Sequence, residues 1–409
     1  MKQMVHDKFI NLLGKSSCPT EACLAVLEGE YTTSQMKEAV SSIGRKRDAN
    51  NIPILLKYAK HFNPEVSMQA IRGLLVFKND NRVSEFLTSL VEHPNEMIRD
   101  IIHKETRGPN NQEDRNHSNC LEFLKNTLVQ GDTLQILDHV PEDSIHLTFT
   151  SPPYYNAREY STYSSYSEYL DFLEATFKKL IHVTKEGRFF ILNTSPVIIP
   201  RAGRKYSSRR YPVPFDIHAR LMEIGWEFID DIVWVKPEKS AKNRISNFNT
   251  HRKPLTYKPN SCTEYLMVYR KKSHNLLDWN LKQYNEEITA QSLVDDSFSR
   301  SNVWHIAPRS SKVHSAVFPI ELCRQVIKLY SFKNDLVFDP FAGSGTLAVA
   351  AIELDRHYFM TEKCEQYVDA ISERLSSNSL FPKSLRRYNA NEFKQKISVN
   401  GISNNDETS

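Results

Sequence analysis

In HLTFTSPPYYNAREY, His146 to Tyr160, an apolar strand-like run ends at Ser151, followed by two consecutive prolines and two tyrosines. Pro152 and Pro153 lock their own φ, and each restricts the residue before it. A serine hydroxyl and a backbone carbonyl are therefore held almost without freedom beside an aromatic ring. Taken alone, the stretch reads either as a rigid turn or as a preorganised pair of hydrogen-bond acceptors next to a stacking face, with Tyr154 or Tyr155 supplying the ring.

A second chemical stretch is DLVFDPFAGSGTLAVAAIELDRHYFMTEKCEQYVDAI, Asp335 to Ile371. An apolar strand runs into Asp339 and a tight turn, Pro340, Phe341, Ala342, Gly343, Ser344, Gly345, and a helix opens at Thr346. Gly343 and Gly345 allow the backbone to approach a ligand closely. The loop is no phosphate-binding P-loop, because Thr346 stands where the lysine should follow the last glycine, and it lacks the third glycine of the dinucleotide fingerprint. The next strand, HYFMTE, ends in Glu362. A carboxylate there can accept hydrogen bonds from both ribose hydroxyls of a nucleoside. The plainer alternative is a helix-capping glutamate after a tight turn.

Elements that could position these residues follow in alternation from about residue 120: SIHLTFT, a helix over Tyr169 to Leu180, GRFFILN, a helix over Phe215 to Ile224, FIDDIVWVK, EYLMVYRK, a helix over Pro319 to Leu329, DLVFDP, a helix over Thr346 to Leu354, and HYFMTE. Strands alternating with helices specify an α/β sheet covered by helices. Upstream the chain reads as all-α. NIPILLKYAKHFNPEVSMQAIR from Asn51 and RVSEFLTSLVEHPNEMIRDIIH from Arg82 repeat one another, Ile52 matching Val83 and Val66 matching Met97. Each unit is an apolar helix, a proline-containing break and a second helix, as in a HEAT-like pair or a plain helical bundle. The expected organisation is a helical domain over 1–110, a linker over 111–119 within TRGPNNQEDRNHSN, an α/β domain over 120–375, and a polar tail over 376–409.

Bulk properties narrow the class. With 409 residues, 40% hydrophobic and 25% charged, the composition is that of an ordinary globular protein of two or three domains. Six scattered cysteines form no C-x-x-C pair and no zinc spacing, so the reading is a reduced, cytoplasmic chain with no metal. The N-terminus breaks its apolar residues with Lys, His and Asp, and no run approaches membrane-spanning length. Net charge is +4, yet Arg201 to Lys272 holds 16 Lys/Arg against 7 Asp/Glu, a local +9 that leaves −5 elsewhere. That asymmetry fits either a surface that meets a polyanion or a solvated basic face.

DPFAGSGT with an acid at the end of the next strand resembles the S-adenosylmethionine-binding motif of amino-group DNA methyltransferases. SPPY resembles their catalytic motif, most often SPPY in cytosine-N4 enzymes and DPPY or NPPY in adenine-N6 enzymes. SPPY, from Ser151, lies far ahead of DPFAGSGT, from Asp339, with the basic segment between them, an order similar to the permuted β subgroup. The likeness covers Asn126 to Leu375, well over half of the chain. VQGDTLQIL with Asp132 resembles the element near the cofactor adenine. VWHIAPRSSKVHSAVFPIELCRQVI resembles the segment ahead of the cofactor loop, with Phe318 and Pro319 leading into a helix. It departs at Ser315 and Ala316, where the family often has a proline.

The resemblance implies a Rossmann-like methyltransferase sheet with permuted motif order behind an all-α N-terminal domain. It implies S-adenosyl-L-methionine as cofactor, duplex DNA as partner, and a possible cognate restriction endonuclease in a prokaryotic cytosol or nucleoid. Methyl transfer from a sulfonium to an exocyclic amine needs alignment and no covalent nucleophile. Ser151 and the Pro152 carbonyl would accept the amine hydrogens, Pro153 would stiffen the turn, and Tyr154 would stack on a flipped base. Asp132, Phe318, Pro319, Asp339 to Thr346 and Glu362 would hold the cofactor. Target recognition is expected in insertions near 200–262 and 275–302, with Arg204, Lys205, Arg209, Arg210, Arg244, Arg252 and Lys253 on DNA. Cytosine N4 is the leading target, adenine N6 its rival, and a protein-binding scaffold with a degenerate methyltransferase domain, or an RNA substrate, the remaining readings.

Overall fold

The computed structural model describes residues 10–106, 117–155, 163–199, 203, 205–206, 209–240, 254, 261–273, 275, 277–295, 298–308, 319–377 and 385–403. The chain divides into two compact units, Met1–Glu113 and Asp114–Ser409.

Helices Thr20–Glu28, Thr33–Arg45, Ile52–Tyr58, Pro64–Leu74, Asn81–Ser89 and Glu96–Thr106 build the first unit around their own apolar core. Polar side chains start them: Thr32 and Gln35 form a reciprocal capping box, and the Asn63 and Asp80 side chains accept from Glu65 N and Arg82 N. Gly44 and Gly73 let two helices meet backbone to backbone, since a Cβ on Gly44 would lie 3.0 Å from the Gly73 Cα. The two stretches form two helix pairs, Ile52–Tyr58 with Pro64–Leu74 and Asn81–Ser89 with Glu96–Thr106, with one correction of register. Ile52 and Val83 are both buried, as their match requires, but Met97 is 52% exposed and Ile98 takes the buried place of Val66. The turn between helices carries one extra residue in the second unit, so everything after it aligns one position later. In that alignment the turn chemistry repeats: Asn63 N donates to His61 Nδ1 at 3.1 Å and Asn95 N to His93 Nδ1 at 3.0 Å.

The second unit contains eleven strands among the described residues: β1 (Thr127–Gln130), β2 (Ile145–Thr150), β3 (Thr184–Thr194), β4 (Val197–Ile199), β5 (Arg209–Tyr211), β6 (Trp226–Val235), β7 (Thr263–Lys271), β8 (Val303–His305), β9 (Leu336–Asp339), β10 (His357–Glu362) and β11 (Arg386–Asn389). Nine form one sheet in the order β11-β1-β10-β9-β2-β3-β7-β6-β8, while β4 and β5 pair as a hairpin. Only β7 runs against its neighbours in that sheet. Central strands are buried on both faces, as the unbroken burial of β2 and β9 shows, so they read as continuous apolar runs. Helices Ile320–Tyr330, Thr346–Glu353 and Glu365–Ser376 cover one face, and Tyr166–Val183 and Val213–Glu223 the other. This is the expected Rossmann-like α/β sheet.

From β9 the chain winds through helix Thr346–Glu353 to β10 on one side, and from β2 through helix Tyr166–Val183 to β3 on the other. The switch point lies between β9 and β2, where a doubly wound sheet opens a crevice beyond the carboxyl ends of its strands. Ser151 and Asp339 both sit there.

Two expectations need correction. The polar stretch 376–409 is more than a tail: β11 pairs in parallel with β1, and Phe393 of helix Ala390–Ser403 is fully buried, its ring 5.6 Å from that of Phe359. One aromatic anchor in a polar run escapes a reading by composition. Within the insertion expected over 275–302, helices Leu277–Leu281 and Glu286–Gln291 lie at the amino edge of the sheet, away from the switch point, while Asn302 returns beside β6, its Nδ2 donating to Asp231 O at 3.1 Å. Asn280 Nδ2 donates to Gly187 O at 3.0 Å and Tyr284 Oη to Asp335 Oδ1 at 2.5 Å, both beside the amino ends of β3 and β9. The cause is the reversed β7, which delivers the chain to that edge at Lys271. There Asp335 is fully buried and ion-pairs with Arg188, and the Arg188 Nε donates to His146 O at 3.1 Å. His146 receives Leu336 N on Nδ1 at 3.1 Å and reaches His117 O through Nε2, also at 3.1 Å.

Candidate functional site

At the carboxyl edge, Asp339 is 2% exposed, and its Oδ1 accepts from Thr150 Oγ1 at 2.6 Å and Phe341 N at 3.0 Å. The first of these bonds ties the exit of β9 to the exit of β2. Burial pushes the Asp339 carboxyl up to about 7, partly offset by these two donors. The loop then turns through Gly343 and Gly345 at φ 53° and 69°, the left-handed region that glycine enters without strain. A Cβ on Gly345 would meet Ile371 at 3.0 Å, so the second glycine also lets helix Glu365–Ser376 pack close.

The loop is strapped to β10 and to Thr133, which opens helix Thr133–Leu137 just past β1. Pro340 O accepts from Thr133 Oγ1 at 2.5 Å and Thr361 Oγ1 at 2.8 Å, and Ala342 N donates to Thr361 O at 3.0 Å. Ser344 and Thr346 hydroxyls lie 3.0 Å apart, with Arg374 Nη1 donating to Ser344 O at 2.8 Å. Glu362 accepts Gly343 N on Oε2 at 2.8 Å and Cys364 N on Oε1 at 2.9 Å. Burial still raises its carboxyl above the usual range, against the pull of those amides. Asp132 stands at the adjacent strand exit, capping Leu134 N at 3.0 Å and pairing with Lys363 at 3.1 Å. Pro319 precedes helix Ile320–Tyr330, while Phe318 falls outside the described residues.

Ser151 leaves β2 next to this loop, with Pro152 buried and Pro153 and Tyr154 half-buried. Tyr155 is excluded as the stacking face. It is buried among Tyr166, Tyr169 and Tyr211, with ring centroids at 5.4, 5.6 and 5.1 Å. Tyr154 donates from its hydroxyl to Glu264 Oε2 at 3.0 Å, and Asn193 Nδ2 donates to the same oxygen at 2.7 Å and to Ser151 Oγ at 3.4 Å. Lys236 closes the other side of Glu264, held over the Trp234 ring at 4.6 Å. Burial, then the Glu264 charge, holds the Tyr154 hydroxyl well above its ordinary value, so it remains protonated.

Sequence reading missed Asn193, Lys236 and Glu264. Their signal is visible in retrospect: each is a polar residue at the carboxyl-edge end of an apolar strand, in FFILN, IVWVK and EYLMVY. Among the expected DNA-contacting residues, Lys205, Arg209 and Arg210 are exposed. The β4–β5 hairpin carries the two arginines beyond the exit of β3, and Arg210 Nη2 donates to Ser261 Oγ at 2.9 Å. Arg204, Arg244, Arg252 and Lys253 fall outside the described residues, but β6 ends and β7 begins at the same edge as Ser151.

A family model described as DNA methylase matches residues 145–373. Among curated proteins, the chain is 27% identical over 309 residues to the type II methyltransferase M.Cfr9I of Citrobacter freundii, covering 66% of this chain and 95% of that one. It is 26% identical over 258 residues to the type II beta methyltransferase M.BslI of Bacillus sp. (strain NEB-606), covering 60% of this chain but only 27% of the relative's length. A solved structure with a similar fold is the candidate DNA modification methylase TTHA0409 of Thermus thermophilus, complexed with S-adenosyl-L-methionine. Its TM-score is 0.51 at 23% identity, over 64% of this chain and 97% of that one.

Proposed function

The chain belongs to the DNA methylase family, and within it we propose that it transfers a methyl group from S-adenosyl-L-methionine to the exocyclic N4 amine of cytosine in duplex DNA, at a specific site. The observation that carries this reading is the meeting of Ser151 and Asp339 at one switch point, joined through Thr150.

The residues present suit such a donor. Gly343 and Gly345 present bare backbone at two points of the loop, and Glu362 is turned to that loop by the Gly343 amide. The cofactor supplies an activated methyl on sulfonium. Asp132, Pro319, the run from Asp339 to Thr346, and Glu362 are assigned to hold it. The protein's own work is positional: Ser151 Oγ and the Pro152 carbonyl accept the amine hydrogens, Pro153 stiffens the turn, and the Tyr154 face receives a base that has left the duplex. Lys205, Arg209 and Arg210, with the basic segment up to residue 262, supply phosphate contact around that base. The serine in SPPY is what favours cytosine over adenine.

In this reading the helical repeats form a HEAT-like array that adds DNA or protein contact. The likeness to type II methyltransferases also supports a place in the cytoplasm beside a cognate restriction endonuclease. The test is to incubate the protein with labelled S-adenosylmethionine and duplex DNA, digest to nucleosides and identify the labelled one. N4-methylcytosine is expected; N6-methyladenine would overturn the base assignment, and 5-methylcytosine the mechanism.

A further inference from the structure

In the helical unit, charge and shape coincide at a place that methyl transfer does not use. Helices Thr33–Arg45 and Pro64–Leu74 cross at Gly44 and Gly73, so closely that a Cβ on Gly73 would lie 3.0 Å from the Gly44 Cα. Both glycines border an open groove of about 390 Å³, which Arg45, Arg47 and Arg72 also line. Arg45 and Arg72 each adjoin one of the glycines in sequence, so the close crossing is what brings them to one groove. Arg47 reaches it at a cost. It follows the helix end in the left-handed region, at φ 52°, where glycine is the usual residue and a side chain is strained.

All three arginines are exposed. Elsewhere this unit gives its basic side chains a partner: Lys37 pairs with Glu65, Lys78 with Glu105 and Arg82 with Asp80, at 3.2, 3.3 and 2.8 Å. Lys46 Nζ donates to Thr20 Oγ1 and Arg99 Nη1 to His93 O, both at 2.6 Å. Among the described residues no such partner meets the guanidinium of Arg45, Arg47 or Arg72. Glu38 is the acid of the lining, and its carboxylate is packed against Gly14, where an added Cβ would collide with it. Three positive charges against one negative on a concave surface make a field that draws anions. Ser41 and Gln69 add neutral hydrogen-bond donors to the wall.

We propose that this groove is a DNA-backbone site: its three guanidinium groups hold phosphates of the duplex, apart from the residues that handle the target base. Guanidinium forks match phosphate oxygens two at a time and keep their charge at neutral pH. Phosphate carries no sequence, so the contact adds affinity at every site along the duplex. The proposal rests on the reading of the chain as a methyltransferase of duplex DNA and gives its helical repeats a definite partner.

The full chain should be titrated onto a fluorescent duplex over a range of salt concentrations. The parent is compared with the triple variant Arg45→Ala, Arg47→Ala, Arg72→Ala, with the same three arginines changed to lysine, and with Arg82→Ala, whose arginine already has a carboxylate. The alanine triple should make the slope of log affinity against log salt shallower by about 2.7, or roughly 0.9 for each phosphate no longer neutralised. The parent's advantage should then shrink roughly 40-fold between about 50 and 200 mM salt. The lysine triple should recover most of the slope, because counterion release counts charge, and Arg82→Ala should leave it unchanged. At saturating duplex the single-turnover methylation rate of the alanine triple should stay within about twofold of the parent, since none of the three residues belongs to the candidate site.

An unchanged slope in the alanine triple would overturn the proposal, as would a loss that lysine fails to restore. If the slope is unchanged while inorganic phosphate binds the parent but not the triple in isothermal titration, the groove serves a small anion instead. Should the triple fail to fold, Arg72→Ala alone carries the test, with an expected slope change of about 0.9. Failure of the underlying reading looks different: the parent would label no duplex, and Arg209→Ala with Arg210→Ala would leave the slope unmoved as well.

Discussion

Asp335 precedes and Asp339 ends one four-residue strand, both buried, and the protein treats them in opposite ways. Asp335, at the amino edge, is met by the Arg188 guanidinium, the Tyr284 hydroxyl and Phe332 N. Despite the cost of burial, Arg188 and these donors keep its carboxyl below the usual range. Asp339, at the carboxyl edge, accepts a hydroxyl and one amide on a single oxygen among the described residues, and burial drives it up to about 7. One end of β9 is electrostatically closed and the other is left open. The fold neutralises the acid at the amino edge with a cation and leaves the one at the carboxyl edge with neutral donors on one oxygen.

The contrast breaks first at the amino edge. Asp335→Ala strands a buried arginine, and the expected loss is about 3–5 kcal/mol of unfolding free energy, read by denaturant titration. A loss below about 1 kcal/mol would mean that water already reaches Arg188. At the carboxyl edge, Ser151→Ala should instead spare stability and slow turnover roughly 100- to 1000-fold, with S-adenosylmethionine affinity unchanged in isothermal titration. Parallel loss of affinity and rate would place Ser151 in the cofactor pocket.

Asp339→Asn keeps the acceptor for Thr150 and Phe341 and removes the buried charge. The folded-state carboxyl at about 7 lies above its unfolded value of 3.8. Its contribution to stability is therefore fully present below pH 3.8 and is lost as pH rises through about 7. The amide should gain about 1–3 kcal/mol at pH 8, flatten the stability profile between roughly pH 4 and 7, and weaken cofactor binding. An unaltered slope would show that the parent's carboxylate is solvated after all. The smallest effect concerns DNA. Arg209→Ala with Arg210→Ala should lower the slope of log affinity against log salt by about 2, or roughly 0.9 for each phosphate no longer neutralised, while Lys282→Ala at the amino edge should leave it unchanged.

The carboxyl edge was the legible part. SPPY and DPFAGSGT carry turn chemistry that few other sequences need, and Glu362 ends the very next strand, so both stretches could be placed before any coordinates. Glu264 was hidden because its meaning comes from pairing: β7 brings it beside Asn193 and Tyr154, which are 71 and 110 residues away in the chain. The Asp335 network was hidden for the same reason. His146, Arg188 and Tyr284 lie in three separate segments, and only strand register assembles them. Periodicity found the helical repeats but missed the inserted turn residue, since one residue shifts helix phase by about 100° while leaving each helix amphipathic. Reading along the chain also extended recognition to 275–302, whose helices Leu277–Leu281 and Glu286–Gln291 sit at the amino edge, because composition carries no sense of strand direction.

The order of strands in space also sets an order in time. β2 emerges from synthesis long before its neighbour β9, since 189 residues separate Thr150 from its partner Asp339. β1 is flanked on both sides by β10 and β11, which come later still. Until those strands arrive, β1 and β2 present unpaired edges, and the serine turn has no glycine loop beside it. Long-range parallel pairing of this kind is slow to close. A nascent chain therefore carries the serine turn through a long stretch of its translation before the glycine loop exists beside it.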